Sequence, residues 1–560
     1  MKPHLPEKLK NYFLNLLTLC CLGSVSVSMA TTLPRSSDEP AGGRWGDQGD
    51  GTYANPIIPA DYSDIDAIRV GDDYYAISST FQFSPGVVIL HSKDLVNWRI
   101  IGHAVSDLTQ ISPELNWDKM ARYGRGIWAG SIRYHDNKYW IYFGTPDEGY
   151  FMTTALKPEG PWEPLTQLKK SNGWDDCCPF WDDDGQGYLV GTQTVKNYNI
   201  HLFKLSADGK SLDPSYDKII HQSQGSEANK LYKIKGLYYH LFSHVNPEGR
   251  VVVMERSKSL DGPWELQQLQ HGASREPNQG GLLENPDGTW WWFTHSGSSG
   301  HWDGRIANLL PVKWIDGWPM LGEPAADGQG LMVWNYKKPV MGQPIETPSQ
   351  DDDFSKPVLA PFWEWNYQPR ADKWSLTERP GFLRLHAFKP LQKNEGILAV
   401  GNVLTQRSLR TNKTEVTIRM ETGSMADGQV AGLCHFAGTW SYFGVIQENG
   451  VRRLVFQQNV PKSKEPAEQV LGPELKNPAI YLRSTWGQKG LSQYSYSLDG
   501  KTFLPFATPN QFSWGPYRGD RVGLFTFNPA NEAGAADFNL FQQKFDMPPG
   551  GGTPFEMIQK

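Results

Sequence analysis

A polar turn followed by an aromatic strand recurs five times in the first half of the chain. The five copies read VGDDYYAI, YHDNKYWIYF, DDDGQGYLVG, YKIKGLYYHLF and NPDGTWWWF. Equivalent positions in these copies, separated by 65, 49, 50 and 52 residues, are Tyr74, Tyr139, Tyr188, Tyr238 and Trp290. A repeat of this length built from turns and strands is typical of β-propellers. The pattern predicts five blades of about four strands each, with a ligand at one end of the central channel.

The aromatic content supports an all-β fold. The chain has 22 Trp, 23 Tyr and 25 Phe beside 56 Gly and 40 Pro, and runs of helix-forming residues are scarce. Aromatic residues favour strands, and glycine and proline favour the turns between them. Most of these rings are expected to pack in cores. Since flat rings also stack on the apolar faces of sugars, a carbohydrate ligand is a second interpretation of the excess.

Charge and cysteine content exclude two other classes of protein. The net charge is −6, without a long block of like charge, which argues against a nucleic-acid partner. Beyond the N-terminal segment only Cys177, Cys178 and Cys434 remain. Three cysteines do not make a disulfide framework, so buried free thiols are expected.

The N-terminus has the features of a secretory signal peptide. Lys2, Lys8 and Lys10 precede the apolar stretch 12–27, and small residues follow up to Ala30. No second apolar segment of membrane-spanning length follows. We therefore expect an exported protein, periplasmic or extracellular, without a transmembrane segment.

A segment rich in proline, serine and acids, GQPIETPSQDDDFSKP at 342–357, ends the repeated region. Strand-like alternation continues beyond it at 381–388, 414–421 and 494–503, the last with an Asp499-Gly500 turn, and predicts a β-sandwich. The predicted parts are a signal peptide (1–30), an N-terminal segment (31–52), the propeller (53–343), a linker (344–353), the sandwich (354–546) and a tail (547–560).

Three acids in the early parts of three repeats do not belong to hairpin turns. They are Asp64, Asp176 and Glu227. Residues in these parts of the repeats lie near a propeller axis, and one ionised base, one protonated acid and a third charge would suit glycoside cleavage. Solvated loop carboxylates are the alternative. Asp72 and Asp73 are assigned to a turn, whereas the pattern assigns no role to Asp61 and Asp66.

Around these acids the sequence resembles glycoside hydrolase family 43. The match begins at NPIIPADYSDIDAIRVGDDYYAISSTFQFSPGVVILHSKDLVNW and continues through GIWAGSIRYHDNKYWIYF, DDCCPFWDDDGQGYLVG, GSEANKLYKIKGLYYHLFSH and DGRIANLLPVKWIDGWPML. Beyond the linker, DDDFSKPVLAPFWEWNYQPRADKWSLTERPGFLRLHAF is similar to the C-terminal domain of the two-domain β-xylosidase and α-L-arabinofuranosidase branch. The resemblance implies a five-bladed propeller followed by a concanavalin-like jelly-roll sandwich.

The resemblance also implies site residues. Asp64 would be the general base, Asp176 the residue that tunes the acid's pKa, and Glu227 the general acid of an inverting hydrolase. Substrate-binding positions would be Phe81, Trp128, Gln279, Arg305 and, from the sandwich, Tyr517. Gln279 stands where many relatives place a histidine, and Asp64 and Asp176 lack the usual Asp-Pro-Ser pattern. These departures point to a side branch of the family.

The implied function is the exo-acting release of terminal α-L-arabinofuranosyl or β-D-xylosyl residues. The substrates would be plant cell-wall oligosaccharides from xylan, arabinoxylan or xyloglucan. An endo-arabinanase and a non-catalytic carbohydrate-binding propeller remain alternatives. No cofactor is expected to be required, and a structural calcium held by Asp353 and Asp537 is a further hypothesis. The sequence leaves the sugar, the linkage and the oligomeric state open.

Overall fold

Five antiparallel sheets follow one another along the first part of the chain. The computed structural model describes residues 44–247, 249–270, 279–296, 301–391, 396–459 and 469–546. The predicted signal peptide and C-terminal tail lie outside these residues. Each sheet consists mainly of four consecutive strands, as expected for propeller blades.

The blades are defined by their strands in chain order. Blade 1 comprises Asp66–Val70, Asp73–Ser78, Gly86–Ser92 and Trp98–Val105. Blade 2 comprises Gly130–His135, Lys138–Thr145, Gly149–Ala155 and Thr166–Lys170. Blade 3 comprises Trp174–Trp181, Gly187–Gln193, Asn199–Leu205 and Leu212–Gln222. Blade 4 comprises Glu227–Ile234, Leu237–Asn246, Gly249–Ser257 and Glu265–Gln268. Blade 5 comprises Gln279–Glu284, Trp290–Ser296, Ile306–Ile315 and Trp318–Leu321.

The first strands of the blades form a closed ring. Each contacts the first strand of the next blade, and the first strand of blade 5 returns to that of blade 1. An additional strand, Ile58–Asp61, pairs with Ile306–Ile315 in blade 5 and leads into blade 1. The ring is thereby closed by chain segments from both ends of the propeller, and these five sheets are consistent with the predicted five blades.

The five aromatic marker residues all lie in the second strands of their blades. The first step of the repeat is longer because the connection from blade 1 to blade 2 contains two 3-10 helices, Leu108–Gln110 and Pro113–Leu115. The described residues contain two further 3-10 helices, Ala371–Lys373 and Gly396–Ala399, and no α-helix. None of the helices in this part of the chain is long and apolar enough to cross a membrane.

The second domain is a sandwich of two antiparallel sheets. One contains, in spatial order, Val470–Glu474, Val451–Gln458, Trp440–Glu448, Val430–Phe436, Arg521–Phe527, Leu404–Arg407, Glu364–Asn366 and Phe83–Ser84. The other contains Trp374–Ser375, Leu383–His386, Ala535–Phe545, Thr414–Glu421, Ala479–Trp486, Leu491–Ser497 and Leu504–Pro505, with Asn510–Gln511 paired beside it. Apolar side chains from both sheets form one core, including Leu433, Phe443, Ile418 and Phe538. The segments predicted to form strands, 381–388, 414–421 and 494–503, contain or overlap the strands Leu383–His386, Thr414–Glu421 and Leu491–Ser497.

Propeller and sandwich share a sheet edge. Phe83–Ser84 belongs to a blade 1 connection, yet it pairs with Glu364–Asn366 of the sandwich. Two small sheets comprise Gly46–Asp47, Thr52–Ala54 and Asn335–Lys337, and Glu323–Pro324 with Gly330–Leu331. The three cysteines are buried free thiols, as expected.

Candidate active site

The three acids singled out in the sequence lie together at one end of the propeller. Asp64 lies two residues before the first strand of blade 1, Asp176 lies near the start of the first strand of blade 3, and Glu227 begins the first strand of blade 4. The charges of Asp64 and Glu227 both raise the pKa of Asp176, so the three carboxyls interact electrostatically. The fold therefore brings acids from three separate blades to one place.

Asp64 is fixed by three polar contacts. Arg305 Nη1 donates to its Oδ1 at 2.5 Å, and Ser79 Oγ donates to its Oδ2 at 2.6 Å. The Asp64 backbone N–H donates to Nδ1 of His295 at 2.8 Å. Burial and the nearby charge of Arg305 lower the pKa of His295 to about 3, so this imidazole is neutral and its Nδ1 accepts the bond. The Asp64 carboxylate is consequently held in one orientation.

A β-bulge aims Asp176 into the same region. The register between the first two strands of blade 3 shifts between Asp175 and Cys178, and Asp176 has a φ of 50°. Gln279 Nε2 donates to Asp176 Oδ1 at 2.8 Å, and Asn229 Nδ2 donates to the Asp176 carbonyl at 2.9 Å. Burial and the charge of Glu227 raise the pKa of Asp176 to about 7.

Glu227 is the most open of the three acids. Its side chain is 32% exposed, and Arg250 Nη1 lies 3.0 Å from its Oε1. Burial raises the pKa of Glu227, Arg250 and Arg305 oppose the rise, and the charge of Asp64 adds to it. The charge of Glu227 in turn raises the pKa of Asp176, so a charge on one of these carboxyls favours the proton on the other.

A loop of the sandwich reaches this end of the propeller. The rings of Tyr517 and Trp128 have centroids 5.1 Å apart, and Arg305 Cζ lies 6.0 Å from the Tyr517 ring centroid. Tyr517 is 49% exposed. Ser63 Oγ lies 3.4 Å from the Tyr517 carbonyl oxygen. The structure therefore places Trp128, Arg305 and Tyr517 around the acids.

Phe81 lies next to this region but has little exposed surface. Its backbone forms a bridge with Ile127, the residue before Trp128, and its side chain is 2% exposed. The carbonyl of Phe81 approaches Gly126 so closely that a Cβ there would lie 2.5 Å from it. Phe81 thus contributes to the wall behind Trp128.

The two acids left unassigned by the sequence have structural contacts. Asp66 Oδ2 accepts from the backbone N–H of Ile132 at 2.9 Å and from Arg133 Nη1 at 2.6 Å. These bonds join blades 1 and 2 near the axis. Asp61 Oδ1 accepts from the backbone N–H of Arg305 at 3.0 Å and from Ser63 Oγ at 3.0 Å. Asp61 therefore braces the segment that carries Asp64.

Sequence reasoning missed several residues of the site. The missed residues that contact or influence the three acids are Ser79, Asp175, Lys230, Arg250 and His295. Asp175 adjoins Asp176, and nothing in the sequence distinguishes their roles. Burial and the charge of Asp176 raise the pKa of Asp175 well above its usual value. Lys230 could have been found from its charge, because it is a basic residue near the start of the first strand of blade 4.

The surroundings of Asp353 and Asp537 do not support the calcium hypothesis. Both oxygens of Asp537 accept hydrogen bonds from Arg384, and Arg379 adds a further bond. Asp353 accepts from the backbone N–H of Ser355. Over the described ranges, no group of three or more His, Cys, Asp or Glu side chains is arranged to hold a metal ion. Two arginines on Asp537 disfavour a cation there.

Comparisons with known proteins agree with the resemblance. The family model "Glycosyl hydrolases family 43" matches residues 53–319, and the model "Beta xylosidase C-terminal Concanavalin A-like domain" matches residues 351–544. A protein of Formosa agariphila named "Beta-xylosidase" is 35% identical, with 90% of this chain and 92% of that protein covered. A Bacteroides ovatus protein named "Non-reducing end alpha-L-arabinofuranosidase BoGH43B" is 33% identical, with 60% of this chain and 65% of that protein covered.

A solved structure shares the architecture of both domains. The chain titled "Bifunctional GH43-CE" from Bacteroides eggerthii superimposes with a TM-score of 0.77 at 28% identity. The alignment covers 90% of this chain and 64% of that longer one. With both domain models and a full-length relative matched, this chain is a glycosidase that belongs to glycosyl hydrolases family 43.

Proposed function

We propose that this protein is an exo-acting, inverting hydrolase that removes single terminal pentosyl residues from oligosaccharides. The observation that carries the proposal is the convergence of Asp64, Asp176 and Glu227 from three blades beneath Tyr517 of the sandwich. Inverting glycosidases need a base and an acid about 6.5–9.5 Å apart, with room for a water between them. Acids on different blades are suited to flank a substrate in this way.

Asp64 is the proposed general base. Arg305 and Ser79 hold its two oxygens, and this leaves the carboxylate oriented to receive a proton from water. That water attacks the anomeric carbon on the face opposite the leaving group, so the bond to the departing oxygen breaks as the new one forms. No covalent sugar intermediate and no cofactor take part in this step.

Glu227 is the proposed general acid, and Asp176 tunes it. Glu227 must be protonated when the glycosidic oxygen departs, and it transfers that proton to the oxygen. The Gln279 amide donates to Asp176 and so favours the negative charge on Asp176. That charge favours the proton on Glu227 by like-charge repulsion. Arg250 opposes this protonation, so we propose that substrate binding loosens the pair between Arg250 and Glu227.

The closed side of the pocket supports exo action. The Tyr517 ring lies next to Trp128, tilted by 60°, at the contact between sandwich and propeller, which suits the end of a chain more than its middle. Phe81 and Gln279 complete the proposed sugar subsite. An endo-arabinanase requires an open cleft, and oligosaccharide products from debranched arabinan would support that alternative.

The proposed sugar is β-D-xylosyl, because the full-length relative is named a β-xylosidase. The α-L-arabinofuranosyl group is the second candidate, since another relative carries that name. The proposed substrates are plant xylan, arabinoxylan or xyloglucan oligosaccharides. The sequence of residues 1–30, which resembles a signal peptide, favours a periplasmic or extracellular site for this reaction. Initial rates on nitrophenyl β-D-xyloside and nitrophenyl α-L-arabinofuranoside separate the two sugars.

The roles are tested with two variants and two leaving groups. Glu227→Gln is expected to lose about 100-fold or more on xylobiose and less on a dinitrophenyl xyloside, because an activated leaving group needs little help from an acid. Asp64→Asn is expected to lose activity equally on both, since water attack is impaired in each case. Glu163→Gln, at an exposed acid paired with Lys210, is the control. Wild-type protein that binds oligosaccharide without turnover would instead support a carbohydrate-binding propeller.

A further inference from the structure

The sandwich domain donates hydrogen bonds to the segment that leads to Asp64, residues 59–61. Arg407 lies in the sandwich strand Leu404–Arg407, and its Nε donates to the backbone carbonyl of Asp61 at 2.7 Å. The backbone N–H of Arg410 donates to the carbonyl of Pro59 at 2.8 Å. A propeller segment of a few residues is thus held at two points from another domain.

Arg407 is itself held rigidly. It is 4% exposed, its Nη1 lies 2.9 Å from Glu364 Oε1, and its Cζ lies 4.4 Å from the ring centroid of Tyr62. Glu364 is fully buried and also pairs with Arg521 and with His103, whose Nε2 lies 3.1 Å away. A guanidinium with this many fixed partners has little freedom to move.

The grip on Asp61 continues to the proposed base through short bonds. Asp61 Oδ1 accepts from the backbone N–H of Arg305, and the backbone N–H of Tyr62 donates to the Arg305 carbonyl at 2.8 Å. Arg305 in turn pairs with Asp64. Gly304 and Asp61 are closely packed, because a Cβ added at Gly304 would lie 2.3 Å from Asp61 Oδ1. Movement of the Asp61 backbone would therefore displace both Arg305 and Asp64.

We propose that Arg407 is a positioning residue through which the sandwich domain sets the location of the catalytic base. The proposal rests on the assignment of Asp64 as the base. A misplacement of about 1 Å can cost about 100-fold in rate, so a fixed backbone at Asp61 favours catalysis more than substrate binding. The sandwich then contributes to catalysis without its own reacting group.

The test replaces only the donor that reaches Asp61. Arg407→Lys keeps a cation opposite Glu364 but loses the Nε–H. We expect kcat on nitrophenyl xyloside to fall about tenfold or more, with KM changed less than about threefold. Arg384→Lys is the matched control, because Arg384 pairs with Asp537 and Glu378 inside the sandwich. It is expected to lower thermal stability without changing kcat.

If Arg407→Lys does not fold, Ser63→Ala is the second variant that tests how the segment around Asp61 positions the base. Ser63 Oγ donates to Asp61 Oδ1 and lies near the Tyr517 carbonyl, and its removal leaves only a small void. A fall in kcat of about threefold or more, with KM nearly constant, is expected. Folded variants whose kcat stays within twofold of wild type, while Asp64→Asn is inactive, would overturn the proposal. If Asp64→Asn remains active, the assignment of the base fails instead.

Discussion

Several residues at the pocket adopt left-handed backbone angles without being glycine. The φ values are 57° at Asp64, 55° at Phe81, 50° at Asp176, 68° at Ala228 and 61° at Tyr517. Each such conformation costs on the order of 1–3 kcal/mol and persists only where surrounding contacts impose it. The hydrogen bond from Gln279 to Asp176 is one of the contacts that hold such a conformation. The site is therefore a place where side-chain direction is favoured over local backbone preference.

The raised pKa of the proposed acid predicts the pH dependence of the reaction. Burial and the charge of Asp64 raise the pKa of Glu227 above its usual value, against the effects of Arg250 and Arg305. Glu227 therefore keeps its proton to a higher pH than an ordinary carboxyl and loses it as the pH rises further. We expect kcat/KM on xylobiose to fall on the basic side as this proton is lost, measured over a pH series at fixed ionic strength.

Removal of the Asp176 charge is expected to move the basic limb of the pH profile in a known direction. Asp176→Asn takes away the like charge that favours the proton on Glu227. The basic limb is then expected to move to lower pH. The comparison variant is Gln279→Leu. It removes a hydrogen-bond donor to Asp176 but leaves the Asp176 carboxyl in place. A basic limb that stays at the wild-type pH in Asp176→Asn would show that another group controls it.

The limits of sequence reasoning are clear at this scale. Asp72 lies in the predicted hairpin turn, but the assignment of Asp73 to that turn is wrong, because Asp73 begins the second strand of blade 1 and pairs with His91 and Lys93. Asp64 lies outside the hairpin, as the local pattern predicts. Asp175 and His295 carry no such signal, because their proximity depends on a bulge and on the closure of the ring. Pairings across blades arise only when distant segments meet.

Among the structural elements, the connection from blade 1 to blade 2 and the sandwich loop around Tyr517 shape the pocket together. Pro516 lies against Gly124, where an added Cβ would be 2.6 Å from the proline side chain. Tyr123 Oη donates to the sandwich carbonyl of Ala437 at 2.6 Å. The long first step of the repeat thus has a structural reason, since the inserted residues form the surface on which the sandwich docks.

Tyr517→Ala tests whether this loop completes the sugar subsite. The variant removes the ring next to Trp128 and Arg305 but keeps the backbone carbonyl that meets Ser63. Because an aromatic contact adds about 0.5–1.5 kcal/mol beyond area burial, KM for nitrophenyl xyloside is expected to rise up to about tenfold. Tyr517→Phe retains the ring and should behave like wild type. An unchanged KM in the alanine variant would place the ring outside the subsite.

The elements themselves followed from the sequence better than their meeting points did. Alternation at 414–421 predicts the strand Thr414–Glu421, and the five aromatic marks predict the five second strands. Pairing of Phe83–Ser84 with Glu364–Asn366 had no local signal, because these short segments are 280 residues apart in the chain and neither has a strand-like pattern. Contacts of that kind depend on the packing of whole domains.

On the scale of the whole molecule, the interface between propeller and sandwich contains buried charge. Glu364 is surrounded by Arg407, Arg521 and His103, and these neighbours lower its pKa well below the usual value against the opposing effect of burial. Two of these residues belong to the sandwich and His103 to blade 1. Such a cluster is stable only while both domains are folded around it, because an unpaired buried charge is costly.

We therefore expect the two domains to unfold together. Calorimetry of the wild-type protein should give one transition, and loss of activity should coincide with it. Glu364→Ala leaves Arg407 and Arg521 without their carboxylate and is expected to cost about 3–5 kcal/mol, lowering the single transition. Arg379→Ala removes ion pairs with Glu421 and Asp537 inside the sandwich, and it should cost less than Glu364→Ala because Arg384 still pairs with Asp537. Two separate transitions in the wild-type protein, with activity lost in only the first, would show that the propeller is stable without the sandwich and that the buried charge cluster does not couple them.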